Sequence, residues 1–580
     1  MIASRRRLPR VALLISVVVT LANFAKAQDP SAQKESANVI SGRVTTSDSQ
    51  PLPNARVSVN KFGGNGPGQN LRVDSNGAFQ TRPLEPGLYS VSVIMPGLIR
   101  EPSPPNTSAY LRPGDTVNFK MVKGGVITGT VKNANGDALV AISVRAIRVK
   151  GPNGEPISNA IPLREILTDD RGIYRLYGLP AGSYIVSAGG PSRGPLGPFV
   201  PTAYEGFVPT YAASATRDTA MEIQVTSGSE SQADLQFREE RGHVISGTIT
   251  GGATSEGPQQ FGASVTVFDI QTRSEVANAQ AFSQSNYSFA VYGVPDGDYE
   301  IFAAQFSSLN DQRASAPTRI KILGADVTGM RLTVAPLASL EGKVTFENDP
   351  KPSCGKHRAS ALVETFINGR RFEPRQSKET PPSDVPMTVR NSFRSAIVDG
   401  RGVFSLKNLQ PGTYQIEPIA PASGWYVRSV ALDRNTAVNI PRDGVSLKRG
   451  DHLAGLTVTI AEGAAQLSGH LSAGEGQTLP LKLRVYLVPE DRVAAANLYR
   501  YYETSAERDG SFMLDNVAPG RYLIVTRRAE ENETGITKLV RLDETLRTAV
   551  FKEAEGLKKA VAFKPCEKVA DFDLPYVAPR

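Results

Sequence analysis

Leu84-Glu85-Pro86-Gly87-Leu88-Tyr89, Leu179-Pro180-Ala181-Gly182-Ser183-Tyr184, Val294-Pro295-Asp296-Gly297-Asp298-Tyr299, Leu409-Gln410-Pro411-Gly412-Thr413-Tyr414 and Val517-Ala518-Pro519-Gly520-Arg521-Tyr522 are one phrase written five times. Proline presets φ at the first corner of a turn, and glycine takes the positive-φ corner of a type II turn. In the second and third copies the proline stands one place earlier. Alternating apolar residues follow each tyrosine, as in Val91 and Val93, or Val186 and Ala188, which is the period of a half-buried strand. The tyrosine, at a fixed offset from the turn, is expected to pack its ring on a core and bond nearby backbone through its hydroxyl.

Working outward, two further elements precede each copy. The first is a strand carrying Gly-x-Val or its equivalent: Ile40 to Val44, Ile127 to Val131, Ile245 to Ile249, Leu340 to Val344 and Leu467 to Leu471. The second is an acidic turn ending in Gly-x-aromatic, with Asp74, Gly77 and Phe79 in the first copy. Asp169, Gly172 and Tyr174, then Asp399, Gly402 and Phe404, then Asp509, Gly510 and Phe512 repeat it. The third copy substitutes Ser285-Asn286-Tyr287-Ser288-Phe289, without the glycine. An Asp or Asn cap with a positive-φ glycine predicts a tight hairpin turn.

The five tyrosines lie 95, 115, 115 and 108 residues apart, which is one domain per copy rather than the 20–50 residues of a solenoid turn. Many short strands between regular turns, with no long amphipathic helix, predict an all-β chain of five tandem seven-stranded β-sandwiches, Ig-like or transthyretin-like. Glycine (52) and proline (41) at 16% of the 580 residues fit that density of turns. The boundaries read as 36–123, 124–240, 241–336, 337–463 and 464–542. Residues 543–580 are set apart as a short helix and tail, because Leu546, Val550, Ala554, Leu557 and Val561 recur at helical spacing. The tail is read as a cap on the open edge of the last sandwich. Short connections between copies predict a semi-rigid rod.

The three repeated elements resemble the carboxypeptidase regulatory-like domain, a transthyretin-like sandwich of the carbohydrate-binding-like superfamily. The stretch from Phe207 to Tyr211, with Ile223, Val225, Gly228 and Phe237, is similar to connectors in secreted bacterial arrays of that domain. The resemblance implies a fold, and makes carbohydrate the first ligand class to test. It implies no peptidase, since the zinc-binding catalytic domain has no counterpart here.

Arg5 to Arg10, the apolar run Val11 to Phe24 and Ala25-Lys26-Ala27 have the three parts of a secretory signal peptide, residues 1–27, with cleavage before Gln28. Ser4 to Leu8 also loosely resembles a twin-arginine signal. The expected location is exported: periplasm, cell surface or exterior. No later apolar run is long enough to span a bilayer. Five bases and no acid stand in residues 1–27, so without them the formal charge falls from +8 to +3, and no basic stripe for nucleic acid survives.

Cys354 and Cys566, the only cysteines, have two readings: a bridge tying the tail to the fourth sandwich, or two thiols. His243, His357, His452 and His470 show no metal-ligand spacing, and no Gly-x-Ser-x-Gly elbow or phosphate loop occurs. The acidic turns lack the later ligands of an EF-hand. No enzyme activity and no cofactor are expected, an enzyme with a cryptic carboxylate pair being the remotest reading.

Candidate ligand contacts are Trp425 and Tyr426, and Tyr204, Phe207 and Tyr211 in the insertion Gly189 to Ala213. Each also reads as a packed aromatic: Trp425 in the core, and the insertion folded over a sheet edge. Tyr499, Tyr501 and Tyr502 form another aromatic group, and Pro96–Asn106 and Arg370–Asn391 are further long insertions. The partners to test are polysaccharides or surface proteins. A sugar binder needs solvent-facing aromatics, whereas a spacer buries them.

Overall fold

The computed structural model describes residues 38–576 apart from 65–67, 102–109, 158–161, 191–202, 252–261, 273, 306–311, 348–353, 355–360, 373–392, 433–439, 475–477, 481, 508 and 532–536. The signal-peptide reading lies outside these residues, as do most of the insertion 370–391 and parts of the insertions at 96–106 and 189–213.

The chain is a tandem series of β-sandwiches. In the first, Ser41–Thr46 lies between Ala78–Gln80 and Thr116–Lys123, with Leu98–Arg100 beyond, and faces a sheet of Gln69–Arg72, Arg56–Lys61 and Tyr89–Ile94. Ile40, Val44, Val57, Phe79, Tyr89 and Phe119 fill the space between them. The same two-layer pattern recurs four more times in chain order, each copy with its own apolar cluster. Among the described residues the first and fifth sandwiches have seven strands, the third and fourth eight and the second nine, so seven is the minimum rather than the rule. In the third, Arg313–Ser315 pairs with both Gly297–Gln305 and Val327–Pro336, joining the two layers along one side.

The first-strand glycines Gly42, Gly129, Gly247, Gly342 and Gly469 each lie opposite an aromatic of the acidic-turn strand: Phe79, Tyr174, Phe289, Phe404 and Phe512. On the other side runs the last strand of the same copy, parallel to the first. A Cβ on any of these glycines would collide with a backbone carbonyl of that last segment: Val117, Ala233, Met330, Leu456 or Phe572. In the last three copies the last strand carries one extra residue there, with Gly329, Gly455 and Asp571 at φ of 70°, 92° and 53°. Such a bulge bends the strand around its neighbour.

The acidic turn is not a hairpin. It carries the chain from one layer to the other, from Gln69–Arg72 to Ala78–Gln80 in the first copy. Asp74, Asp169 and Asp399 each accept two backbone N–H bonds across the turn at 2.8–3.0 Å. Gly77, Gly172, Gly402 and Gly510 take φ of 71–87°. The Pro-Gly-x-Tyr segment then returns the chain to the second layer. Its glycines Gly87, Gly182, Gly412 and Gly520 sit at φ of 139–154°, well beyond the value of about +80° for a type II corner, and Gly297 has no positive φ. Each tyrosine hydroxyl donates to the carbonyl four residues earlier: Tyr89 to Glu85, Tyr184 to Pro180, Tyr299 to Pro295, Tyr414 to Gln410 and Tyr522 to Ala518, at 2.7–2.9 Å. The rings are buried, and burial raises the hydroxyl pKa of Tyr184 and Tyr414 to about 12. This is a tyrosine corner, which pins the sheet-to-sheet crossing to the core.

The C-terminal region corrects the sequence reading. Asp543 caps the helix Glu544–Leu557 through the Leu546 N–H, and Leu546, Val550 and Ala554 pack on the outer face of the fifth sandwich. The tail lies along open edges of the last sandwich, but as strands of that sandwich rather than as a segment set apart. Ala560–Phe563 pairs with Gly520–Arg528, and Lys568–Pro575 runs parallel to Ala465–Ser472, so the tail supplies a strand to each layer of the fifth sandwich. The helix is therefore an insertion before the final two strands.

The chain is also no straight rod. Arg112 donates to Ala420 O at 2.8 Å, and the Tyr110 ring lies 4.7 Å from Phe62 and 5.0 Å from Phe366, so the first sandwich rests on the fourth.

Gly342→Ala should cost the fourth sandwich roughly 2–3 kcal/mol or more, because backbone must move. Tyr414→Phe, losing one hydroxyl bond, should cost about 1 kcal/mol. Scanning calorimetry of the full chain measures both; equal effects would contradict this assignment. Asp169, Asp399 and Asp509 have pKa values lowered by, respectively, the Arg171 side chain, the Val403 N–H and the Ser511 hydroxyl. Their stabilisation is complete above about pH 4 and fades as pH falls through the lower folded values. The melting temperature should drop in that acid range, and less steeply in Asp399→Asn.

Candidate functional site

A cleft of about 880 Å³ opens where the first, fourth and fifth sandwiches meet. Its walls carry Arg112, Glu417, Tyr426, Glu507, Asp515 and Arg541. The strand Trp425–Leu432 positions the first two candidate aromatics, and alternation sends them opposite ways. Trp425 turns into the fourth core, 8% exposed, with its ring 4.7 Å from Phe346. Tyr426 turns towards the fifth core, with the Arg500 guanidinium 5.4 Å over its ring. Only the rim of the indole reaches the cleft, so Trp425 is not an exposed platform for a sugar.

The cleft floor is a hydrogen-bonded seam. Tyr499, fully enclosed, donates to Ile416 O at 2.5 Å, and Asn516 accepts from Gly424 N at 3.0 Å. Gly463 and Ala464, the short link between the two sandwiches, donate to Gly424 O at 2.9 Å, and Cys566 N donates to Gly463 O at 3.0 Å. Cys566 is bonded to Cys354, with Cα atoms 4.8 Å apart. That separation is ordinary for a disulfide. The bridge thus ties the final strand pair to the loop after Ala338–Glu347. Burial raises the Glu503 pKa, while Arg484 at 3.2 Å and the Val540 N–H at 3.0 Å hold its carboxylate.

The other three candidate aromatics are in the second sandwich. Tyr204 and Phe207 pack on its core, 5.8 and 5.7 Å from Phe237, with Arg241 stacked 4.5 Å over Phe207. Tyr211 is 8% exposed against Ile147 and Ile185, and borders a cavity of about 360 Å³ facing the third sandwich. The insertion is therefore folded over the sandwich. The structure does not bring it together with Trp425.

Two exposed tyrosines escaped the motif reading. Tyr177 and Tyr292, 55% and 49% exposed, occupy the same place in consecutive copies, one residue before Gly178 and Gly293 on edge strands of their sheets. Arg164 lies 5.7 Å from the Tyr177 ring. The signal was the shared Tyr-Gly before the Pro-Gly-x-Tyr corner, hidden because only two copies carry it.

His243 contacts Asp296 at 3.1 Å and Asp326 at 3.7 Å, and His452 bonds Ser339 at 2.7 Å; neither histidine lines the cleft. Among the described residues no three His, Cys, Asp or Glu side chains are placed to hold a metal, and no helix is long and apolar enough to cross a membrane.

Residues 39–121 match the carboxypeptidase regulatory-like domain. No curated protein matches in sequence. Among solved structures, two B repeat units of the collagen binding protein of Staphylococcus aureus align at 12% identity over 73% of this chain and 99% of theirs, with a TM-score of 0.13. GBS52, the minor pilin of Streptococcus agalactiae, aligns at 12% identity over 34% of this chain and 94% of its own, with a TM-score of 0.19. The Bacillus anthracis TIE protein aligns at 15% identity over 52% of this chain, with a TM-score of 0.15; the match spans 50% of that protein.

Trp425→Ala should destabilise the fourth sandwich by roughly 3–5 kcal/mol, as expected for a buried aromatic. Thermal unfolding monitored by calorimetry checks this; an unchanged melting temperature would return Trp425 to the surface.

Proposed function

We propose that this chain is a non-catalytic, exported scaffold that spaces and presents protein-binding surfaces. The observation that carries it is that the sequence-selected aromatics are spent on cores and seams: Trp425 and Tyr211 are buried, and Tyr204, Phe207 and Tyr426 are half-buried with their rings packed on core clusters. Five modules with boundaries at 36–123, 124–240, 241–336, 337–463 and 464–580 make up the scaffold, the last including the tail. Export rests on the signal-like residues 1–27 and is supported by the Cys354–Cys566 bond, which an oxidising compartment favours. The protein partner is met by module surfaces; the cleft between the first, fourth and fifth sandwiches mixes the two kinds of wall, with Arg112, Glu417 and Arg541 beside Ile419, Met513 and Leu542.

A carbohydrate-binding reading is favoured by one observation, the repeated exposed rings of Tyr177 and Tyr292. Binding of residues 28–580 to a panel of polysaccharides and peptidoglycan separates the two readings. The scaffold reading predicts retention no greater than on bare matrix, with no change in the Tyr177→Ala, Tyr292→Ala double variant. Saturable binding abolished in that variant, with melting unchanged, would replace the scaffold reading by the carbohydrate one.

A further inference from the structure

In every copy the first strand enters and the last strand leaves side by side and parallel. Ser41–Thr46 pairs with Thr116 to Met121, and Ala338–Glu347 pairs with His452–Glu462 over most of its length. The third and fifth copies do the same. The second has the shortest parallel contact, with Glu230–Gln232 and Leu235–Gln236 on Gly125–Lys132. Little chain separates one copy from the next: Gly124, residues 237–242, Leu337, and Gly463 with Ala464. Each last strand therefore runs almost directly into the next first strand.

Tension along such a chain pulls the start of the first strand one way and the end of the last strand the other. The two strands are loaded in shear, along their axes and across hydrogen bonds perpendicular to the load. All bonds of the pair must then yield together. A load perpendicular to the strands would open them one at a time.

The disulfide changes the route of that load. It spans 212 residues and encloses every strand of the fifth sandwich except Lys568–Pro575, and every strand of the fourth except Ala338–Glu347. A load that enters before Cys354 and leaves after Cys566 crosses the covalent bond instead of the enclosed chain. We propose that this protein bears tension through parallel terminal strands, and that the Cys354–Cys566 bond diverts the load around the fourth and fifth sandwiches, preserving the seam between them. This deepens the scaffold reading and rests on it.

Single-molecule stretching of the full chain, held at its two ends, tests the proposal. The low-force release of the first sandwich from the fourth should come before any sheet ruptures. Discrete rupture peaks should follow, the lowest from the second sandwich. Under oxidising conditions the final length should fall short of that of the reduced chain, or of Cys354→Ser, by roughly 700–760 Å, the extended length of the enclosed residues. Equal lengths in the oxidised and reduced chains would overturn the diversion. A smooth low-force ramp without peaks would overturn the shear arrangement. Polysaccharide binding would sink the scaffold reading yet leave these force curves as they are, so the two failures are distinguishable.

Discussion

The arrangement rests on one steric constraint. In each copy the first strand is flanked by an aromatic ring on one side and a carbonyl of the parallel last strand on the other, and the residue between them has no room for a Cβ. Gly42, Gly129, Gly247, Gly342 and Gly469 fill that place. The first strand can be approached this closely only at glycine, whose usual cost in a strand is offset by the ring laid across it. With that register set, the acidic turn must cross to the second layer, and the tyrosine corner must bring the chain back. The three sequence elements are thus three parts of one crossing, which explains why they recur together and in order.

Most of the fold was legible because it is written in local chemistry. Glycine at the acidic turn, the Asp caps and the tyrosine hydroxyl each act within a few residues, so sequence spacing exposes them. What stayed hidden depends on partners far along the chain. The acidic turn looks like a hairpin until the sheets are known, since its capping is the same whether the next strand joins one layer or the other. Lys568–Pro575 reads as tail in the sequence because a helix intervenes, and helical periodicity hides the need for a final parallel strand. Contact of Arg112 with Ala420 joins residues 308 apart and leaves no local trace.

The candidate site was legible only in part, for a related reason. Alternation along Trp425–Leu432 places Trp425 and Tyr426 on opposite faces, yet sequence cannot say that both faces are covered, one by the fourth core and one by the fifth. Exposed Tyr177 and Tyr292 read as ordinary strand residues, because nothing local reveals that their strands are edges. The Cys354–Cys566 bond and the seam through Gly424, Gly463, Tyr499 and Asn516 make the fourth and fifth sandwiches one mechanical body. The preceding copies are linked by short strand-to-strand passages.

Native-state hydrogen exchange of the full chain tests most directly whether the first strand is the centre of each copy. Amides of the first strands, at and beside Gly42, Gly129, Gly247, Gly342 and Gly469, should be among the slowest in their own sandwiches, since they open only when the whole copy does. Exchange there as fast as in the edge strands carrying Tyr177 and Tyr292 would contradict the account, because the glycine crossing would then not be what holds each sandwich together.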